Sequence, residues 1–114
     1  MKDRDRTIYC DVDETIIRNL ELDEVSDITF KFEDDFFEKK VNYNLIKYLN
    51  NKSQKGCFIV LWTSNSLGVK WAEKIKEVLN LTCVDICLFK PTEIIDDCPI
   101  NEISHFKYIT PEKF

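Results

Sequence analysis

Residues 57–62, CFIVLW, form an unbroken apolar run that constrains the fold more than any other stretch. A strand with one face in water alternates apolar and polar residues. A run with no polar position suits a strand covered on both faces, as in a parallel sheet flanked by helices. Three further runs of apolar, β-branched or aromatic residues accompany it: TIYC at 7–10, CVDICLF at 83–89 and EII at 93–95. Between the runs at 57 and 83 lies SLGVKWAEKIKEVLN. There Trp71, Ala72, Ile75, Val78 and Leu79 recur at helical spacing while Lys70, Glu73, Lys74, Lys76 and Glu77 face away, and Ser66 is a fitting N-cap. A shorter helix is predicted around 43–53, with Leu45, Ile46 and Leu49 inward and Asn42 or Asn44 as cap. Strands alternating with helices predict an α/β fold with right-handed crossovers.

The segment from about 16 to 41 breaks this rhythm. In DITFKFEDDFFEKKV, Ile28, Phe30 and Phe32 alternate with polar residues, an acidic turn follows, and another apolar pair comes after it. That pattern predicts a β-hairpin inserted after the first strand. The whole chain of 114 residues is sized for one domain, with no repeat, linker or low-complexity tract. Two glycines are too few for a Rossmann or P-loop phosphate fingerprint.

The opening MKDRDR lacks the apolar stretch of a signal peptide, and no run approaches membrane-spanning length, so no membrane association is expected. Five cysteines, an odd count without secretory context, fit reduced thiols in the cytoplasm. Cys83, Cys87, Cys98 and the single histidine, His105, match no compact zinc spacing, so no zinc is expected. A net charge of −5 argues against a nucleic-acid-coating surface, though a nucleotide substrate is compatible with it.

Ligands of open parallel sheets bind beyond the carboxyl ends of the strands. The residues following each apolar run therefore test for a site independently of any motif. The first run leads into Asp11 and Asp13, the second into Thr63 and Ser64, the third into Lys90, and the fourth into Asp96 and Asp97. Carboxylates with a lysine and a hydroxyl are what metal-assisted phosphoryl transfer needs. The acids bind a hard cation and supply a nucleophile, while lysine and hydroxyl hold phosphate oxygens.

At these positions the chain resembles the haloacid dehalogenase superfamily over nearly its whole length. DVDET (11–15) resembles the first motif of that superfamily, IVLWT (59–63) the second, Lys90 in FKP the third, and IIDDCP (94–99) the fourth, in the same order. The resemblance implies a Rossmann-like core and a phosphatase working through an aspartyl-phosphate. It implies Asp11 as nucleophile and Asp13 as general acid and base. Thr63 and Lys90 would bind the transferring phosphoryl group, with Ser64 replacing Thr63 if the strand register slips by one. The implied Mg²⁺ site comprises the Asp11 carboxylate, the Asp13 backbone carbonyl and one of Asp96 and Asp97, of which Asp97 is favoured.

With about 45 residues between the first two strands, there is no room for a cap domain over the site. An open site favours a macromolecular phosphate, such as a nucleic-acid end or phosphoprotein, or closure by an oligomeric neighbour. DDCP and WTSNS resemble the uncapped protein-phosphatase branch, and the KP…IIDD spacing resembles small uncapped hydrolases and polynucleotide 3′-phosphatase domains. None of these fixes the substrate.

Three rival readings stand beside this one. A receiver-like phospho-acceptor also gathers Asp, Thr and Lys at strand ends, but its acidic pair precedes the phosphorylated Asp. A magnesium-dependent nuclease would leave Thr63 and Lys90 without a role. A catalytically dead phosphate-binding module has no need of both Asp11 and Asp13. A second acidic pair, Asp34 and Asp35, follows no strand end and is read as a turn.

Overall fold

In the computed structural model, which describes residues 2–103 and 105–114, the apolar run becomes the central strand of a parallel sheet. The chain order is β1 (Asp3–Asp11), β2 (Ile17–Arg18), β3 (Ile28–Phe32), β4 (Asp35–Val41), α1 (Tyr43–Gln54), β5 (Cys57–Thr63), α2 (Val69–Val78) and β6 (Ile86–Phe89). Two short 3₁₀ turns follow, Ile100–Glu102 and Pro111–Lys113. The parallel sheet has the order β1-β5-β6, and a second, antiparallel sheet has the order β2-β4-β3. Between β1 and β5 the described chain holds short strands and one helix, with no cap domain.

The expected hairpin forms from β3 and β4, with Phe32 opposite Asp35. Its two-residue turn, Glu33–Asp34, has φ of 48° and 70°, the two positive values that match the twist of paired strands. The helix predicted near 43–53 is α1, capped by the Asn42 side chain accepting the Leu45 N–H at 3.1 Å. It ends at Gln54, and just past its cap stands Gly56, whose φ of 93° is inexpensive only for glycine.

Four expectations are corrected. Helix α2 begins not behind Ser66 but behind Gly68, at φ 80° and ψ −166°, a region open essentially to glycine alone. The cause is Asn65: its side chain accepts the Leu67 N–H at 2.9 Å and its carbonyl accepts the Gly68 N–H, so a turn occupies residues 65–68. The run at 83–89 is a strand only over Ile86–Phe89, because Cys83 and Val84 are buried in the turn that follows α2. The run at 93–95 forms no strand, and Ile95 is 94% exposed. Three residues after Pro91 offer few ladder bonds, and the Asp96 carboxylate instead accepts the Cys98 N–H in a local turn at 3.0 Å.

The fourth correction concerns how the sheet is covered. The core joins Cys10, Ile59 and Leu61 to Leu45 and Leu49 of α1, Trp71, Ala72 and Ile75 of α2, and Phe30 of the hairpin. Two successive right-handed crossovers in one direction place both helices on one face. The opposite face carries Tyr9, Ile86 and Leu88, all exposed. The apolar run is thus covered on one side by helices, and Val60 on the other side is buried by its sheet neighbours.

Candidate active site

The carboxyl edge of the parallel sheet brings together Asp11, Thr63 and Lys90. Asp11 ends β1 opposite Trp62, and the Lys90 N–H continues the ladder past β6 by donating to the Thr63 carbonyl at 2.8 Å. Because β5 lies between them, the ends of β1 and β6 are two strand spacings apart, about 10 Å. The long lysine stem crosses that gap, and its ammonium sits 5.9 Å from the centre of the Trp62 ring and 3.1 Å from Asp11 Oδ1. The other oxygen, Oδ2, accepts the Thr15 hydroxyl at 3.2 Å. Asp11 is therefore held on both oxygens, on one side by a cation.

Asp13 is held by a different pair. The Asn65 side-chain amide donates to Oδ2 at 3.1 Å, and the Trp71 indole N–H donates to Oδ1 at 3.2 Å. The local chain makes this placement possible. Residues 12–17 wrap so that the N–H groups of Thr15, Ile16 and Ile17 all point to the Val12 carbonyl, with Glu14 at a positive φ of 59°. Val12, Ile16 and Ile17 are buried, which anchors the loop from below.

Thr63 is fully buried and its hydroxyl oxygen accepts the Asn65 N–H at 3.0 Å, so it fastens the turn that carries Asn65. Ser64, one residue on, is exposed. Asp96 and Asp97 are exposed on irregular chain, since the strand that was to deliver them does not form. All four acids offer hard oxygen donors, the chemistry that suits Mg²⁺. Among the described residues, however, no group of three or more His, Cys, Asp or Glu comes together to hold a metal.

Cys10, beside Asp11 on the buried face, is not a competing nucleophile. Burial, reinforced by the Asp11 charge, pushes its thiol up to about 12. Two concavities lie elsewhere on the described surface. One of about 480 Å³ lies on the hairpin around Thr29, Phe36 and Lys39, and one of about 330 Å³ runs past Glu14, Thr15 and Lys40 to Pro111. At the edge itself the Asp11 and Lys90 side chains remain partly exposed.

Sequence reasoning missed Thr15, Asn65 and Trp71 as site residues. Trp71 belongs to the core, but a buried indole N–H needs an acceptor, and that need is the available signal in the sequence. No family model matches the chain, nor does any curated protein or solved structure.

Proposed function

We propose that this protein is a Mg²⁺-dependent phosphomonoester hydrolase of the haloacid dehalogenase type, with Asp11 as nucleophile. The observation that carries the reading is the pair between Lys90 Nζ and Asp11 Oδ1, 3.1 Å long, formed by residues at the carboxyl ends of two parallel strands. A lysine there draws a phosphate dianion to the carboxylate that attacks it and offsets the charge of the transition state.

In the first step an Asp11 oxygen attacks phosphorus, the ester P–O bond breaks, and Asp13 gives its proton to the departing oxygen. In the second, Asp13 takes a proton from water, the resulting hydroxide attacks phosphorus, and the Asp11–phosphate bond breaks to release inorganic phosphate. Lys90 holds phosphoryl oxygens throughout, with Thr63 or the exposed Ser64 supplying a hydroxyl. A bound Mg²⁺ would supply positive charge for the transferring phosphoryl group. The Asp11 carboxylate and the Asp13 carbonyl would hold it, with Asp97 as the third protein ligand and Asp96 the alternative.

The open edge favours a substrate whose bulk lies outside the protein, or a second subunit that covers it. All five cysteines are free, in keeping with a place in the reducing cytoplasm. No helix is long and apolar enough to cross a membrane among the described residues. The test is a screen of aryl phosphate, phosphorylated metabolites, 3′-phosphorylated oligonucleotides and phosphopeptides with Mg²⁺. Phosphate binding without turnover of any of them would replace this reading with a non-catalytic phosphate-binding module.

A further inference from the structure

We propose that Trp71 is a positioning residue for Asp13, and that the hairpin, by clamping Trp71, sets the direction of the acid–base carboxyl group. The proposal rests on the reading of Asp13 as general acid and base. Its observation is separate: a fully buried indole whose single polar atom is spent on one carboxylate oxygen, at 3.2 Å.

Three phenylalanines of the hairpin fix the indole ring. Phe32 lies parallel to it, 5.7 Å between centroids and 9° between planes. Phe37 meets it edge-on at 4.9 Å and 60°, and Phe30 is tilted against it at 5.7 Å. The Lys39 ammonium stands 5.9 Å from the ring centre. With neighbours from both β3 and β4, the ring cannot turn about its side-chain bonds without moving the hairpin. The direction of the N–H is thus set by hairpin packing rather than by α2 alone.

The second donor, Asn65, comes from the turn fastened by Thr63, so the two Asp13 oxygens report to two different parts of the fold. Both donors are uncharged and fix the carboxyl group without placing a cation beside it, unlike Lys90 beside Asp11. Proton transfer in the transition state needs the carboxyl within hydrogen-bond reach and correctly aimed. A hairpin that shifts on binding substrate would change that aim through the ring.

The test uses Trp71→Phe, which keeps an aromatic ring in the stack and removes the N–H. Loss of aim should lower kcat for alkyl phosphates about 10- to 100-fold, at or below the low end of the roughly 100- to 10,000-fold that acid–base groups contribute, because Asp13 itself remains. KM should stay nearly constant. Aspartyl-phosphate formation from nitrophenyl phosphate, whose leaving group departs without a proton, should change far less. The ratio of alkyl to aryl rates in this first step is the readout, because simple destabilisation lowers both together. An unchanged ratio in active Trp71→Phe protein would overturn the proposal alone. Wild-type protein inert toward both esters would overturn it together with the phosphatase reading.

A measurement independent of activity covers a variant that folds poorly. In the wild-type protein the Trp71 indole proton should exchange slowly with solvent, and its NMR resonance should move in Asp13→Ala, which removes both acceptor oxygens, while that of Trp62, the other tryptophan, stays in place. Fast exchange, or no movement, would show that the bond does not form in solution and would refute the relay.

Discussion

Lys90 Nζ reaches Asp11 Oδ1 at 3.1 Å across the end of the intervening strand β5. Both side chains are about one-third exposed, at 33% and 34%, so water screens the pair and it adds little to folding. Ion pairs of this exposure contribute about 0–1 kcal/mol. A lysine that adds so little to stability yet spans three strands is better explained by what it does for a ligand. Replacing Lys90 with Met should leave the urea midpoint nearly unchanged and reduce kcat/KM about 100- to 1,000-fold, the scale of losing one preorganised electrostatic contact. Large destabilisation with intact turnover would make the pair a structural tie.

Mg²⁺ dependence, if the proposed metal site holds, should separate the two acids of the pair at 96 and 97. Asp96 already accepts the Cys98 N–H, the local bond of a turn. Asp97→Asn should therefore raise the Mg²⁺ concentration needed for half-maximal activity at least tenfold, and Asp96→Asn should raise it less. Excess chelator should abolish turnover of every substrate. Activity titrations with Mg²⁺ check both statements, and full activity in chelator would remove the metal from the mechanism.

The hairpin turn carries avoidable strain. Glu33 and Asp34 both adopt positive φ, where a residue with a Cβ pays about 1–2 kcal/mol relative to glycine. Glu33→Asn with Asp34→Gly, the pair this turn type prefers, should raise the melting temperature by several degrees. The tryptophan fluorescence spectrum should be unchanged, because the substitutions keep the turn geometry that holds Phe32 against Trp71. A lower melting temperature would mean that these acids make contacts in solution that offset their strain.

Several parts of this architecture were legible in the residues and others were not, for physical reasons that can be named. The apolar run of β5 and the alternation of β3 are local signals, and both became strands. The run at 93–95 carries the same local signal as TIYC, but whether a strand forms depends on a partner edge, which no window of sequence contains. Ser66 is a good cap in isolation and lost to Asn65, whose side chain captured the chain first. That Asp11 and Lys90 come together could be anticipated because the ends of parallel strands gather at one edge. Trp71 and Asn65 were missed because what ties them to the site is a contact with Asp13 across more than 50 residues. A pattern that serves the core equally well does not reveal such a contact.

Cys10 gives a pH prediction. Its folded value of about 12 lies above the ordinary 9.0 because burial penalises the thiolate. Its contribution is fully present below pH 9; above that the unfolded chain loses the proton while the folded chain keeps it. Stability is therefore lost as pH rises from about 9 toward 12. Urea unfolding at pH 8 and pH 10.5 should show the fall, and Cys10→Val, which has nothing to ionise, should show a shallower one. At pH 8 Cys10 should resist alkylation while the partly exposed Cys98 reacts first. Rapid labelling of Cys10 in folded protein would contradict its burial.

Asp11 and Asp13 stand two residues apart and are held by different partners, so their loss should have different consequences. Asp11→Asn removes the attacking oxygen, and turnover should fall to background with aryl and alkyl phosphates alike. Asp13→Asn keeps that nucleophile, its Lys90 partner and its own backbone carbonyl, and loses the group that protonates the leaving oxygen and activates water. Aryl phosphates should still phosphorylate Asp11, alkyl phosphates should react poorly, and the phosphoenzyme should accumulate because its hydrolysis lacks a base. Asparagine keeps one acceptor oxygen for the Trp71 or Asn65 donor, so the loop should stay folded and the defect should be chemical. Acid quenching of Asp13→Asn protein with nitrophenyl phosphate, followed by mass mapping, should place the phosphoryl group on Asp11. Phosphate on any other residue, or an Asp11→Asn protein that still turns over, would refute the assignment of the nucleophile.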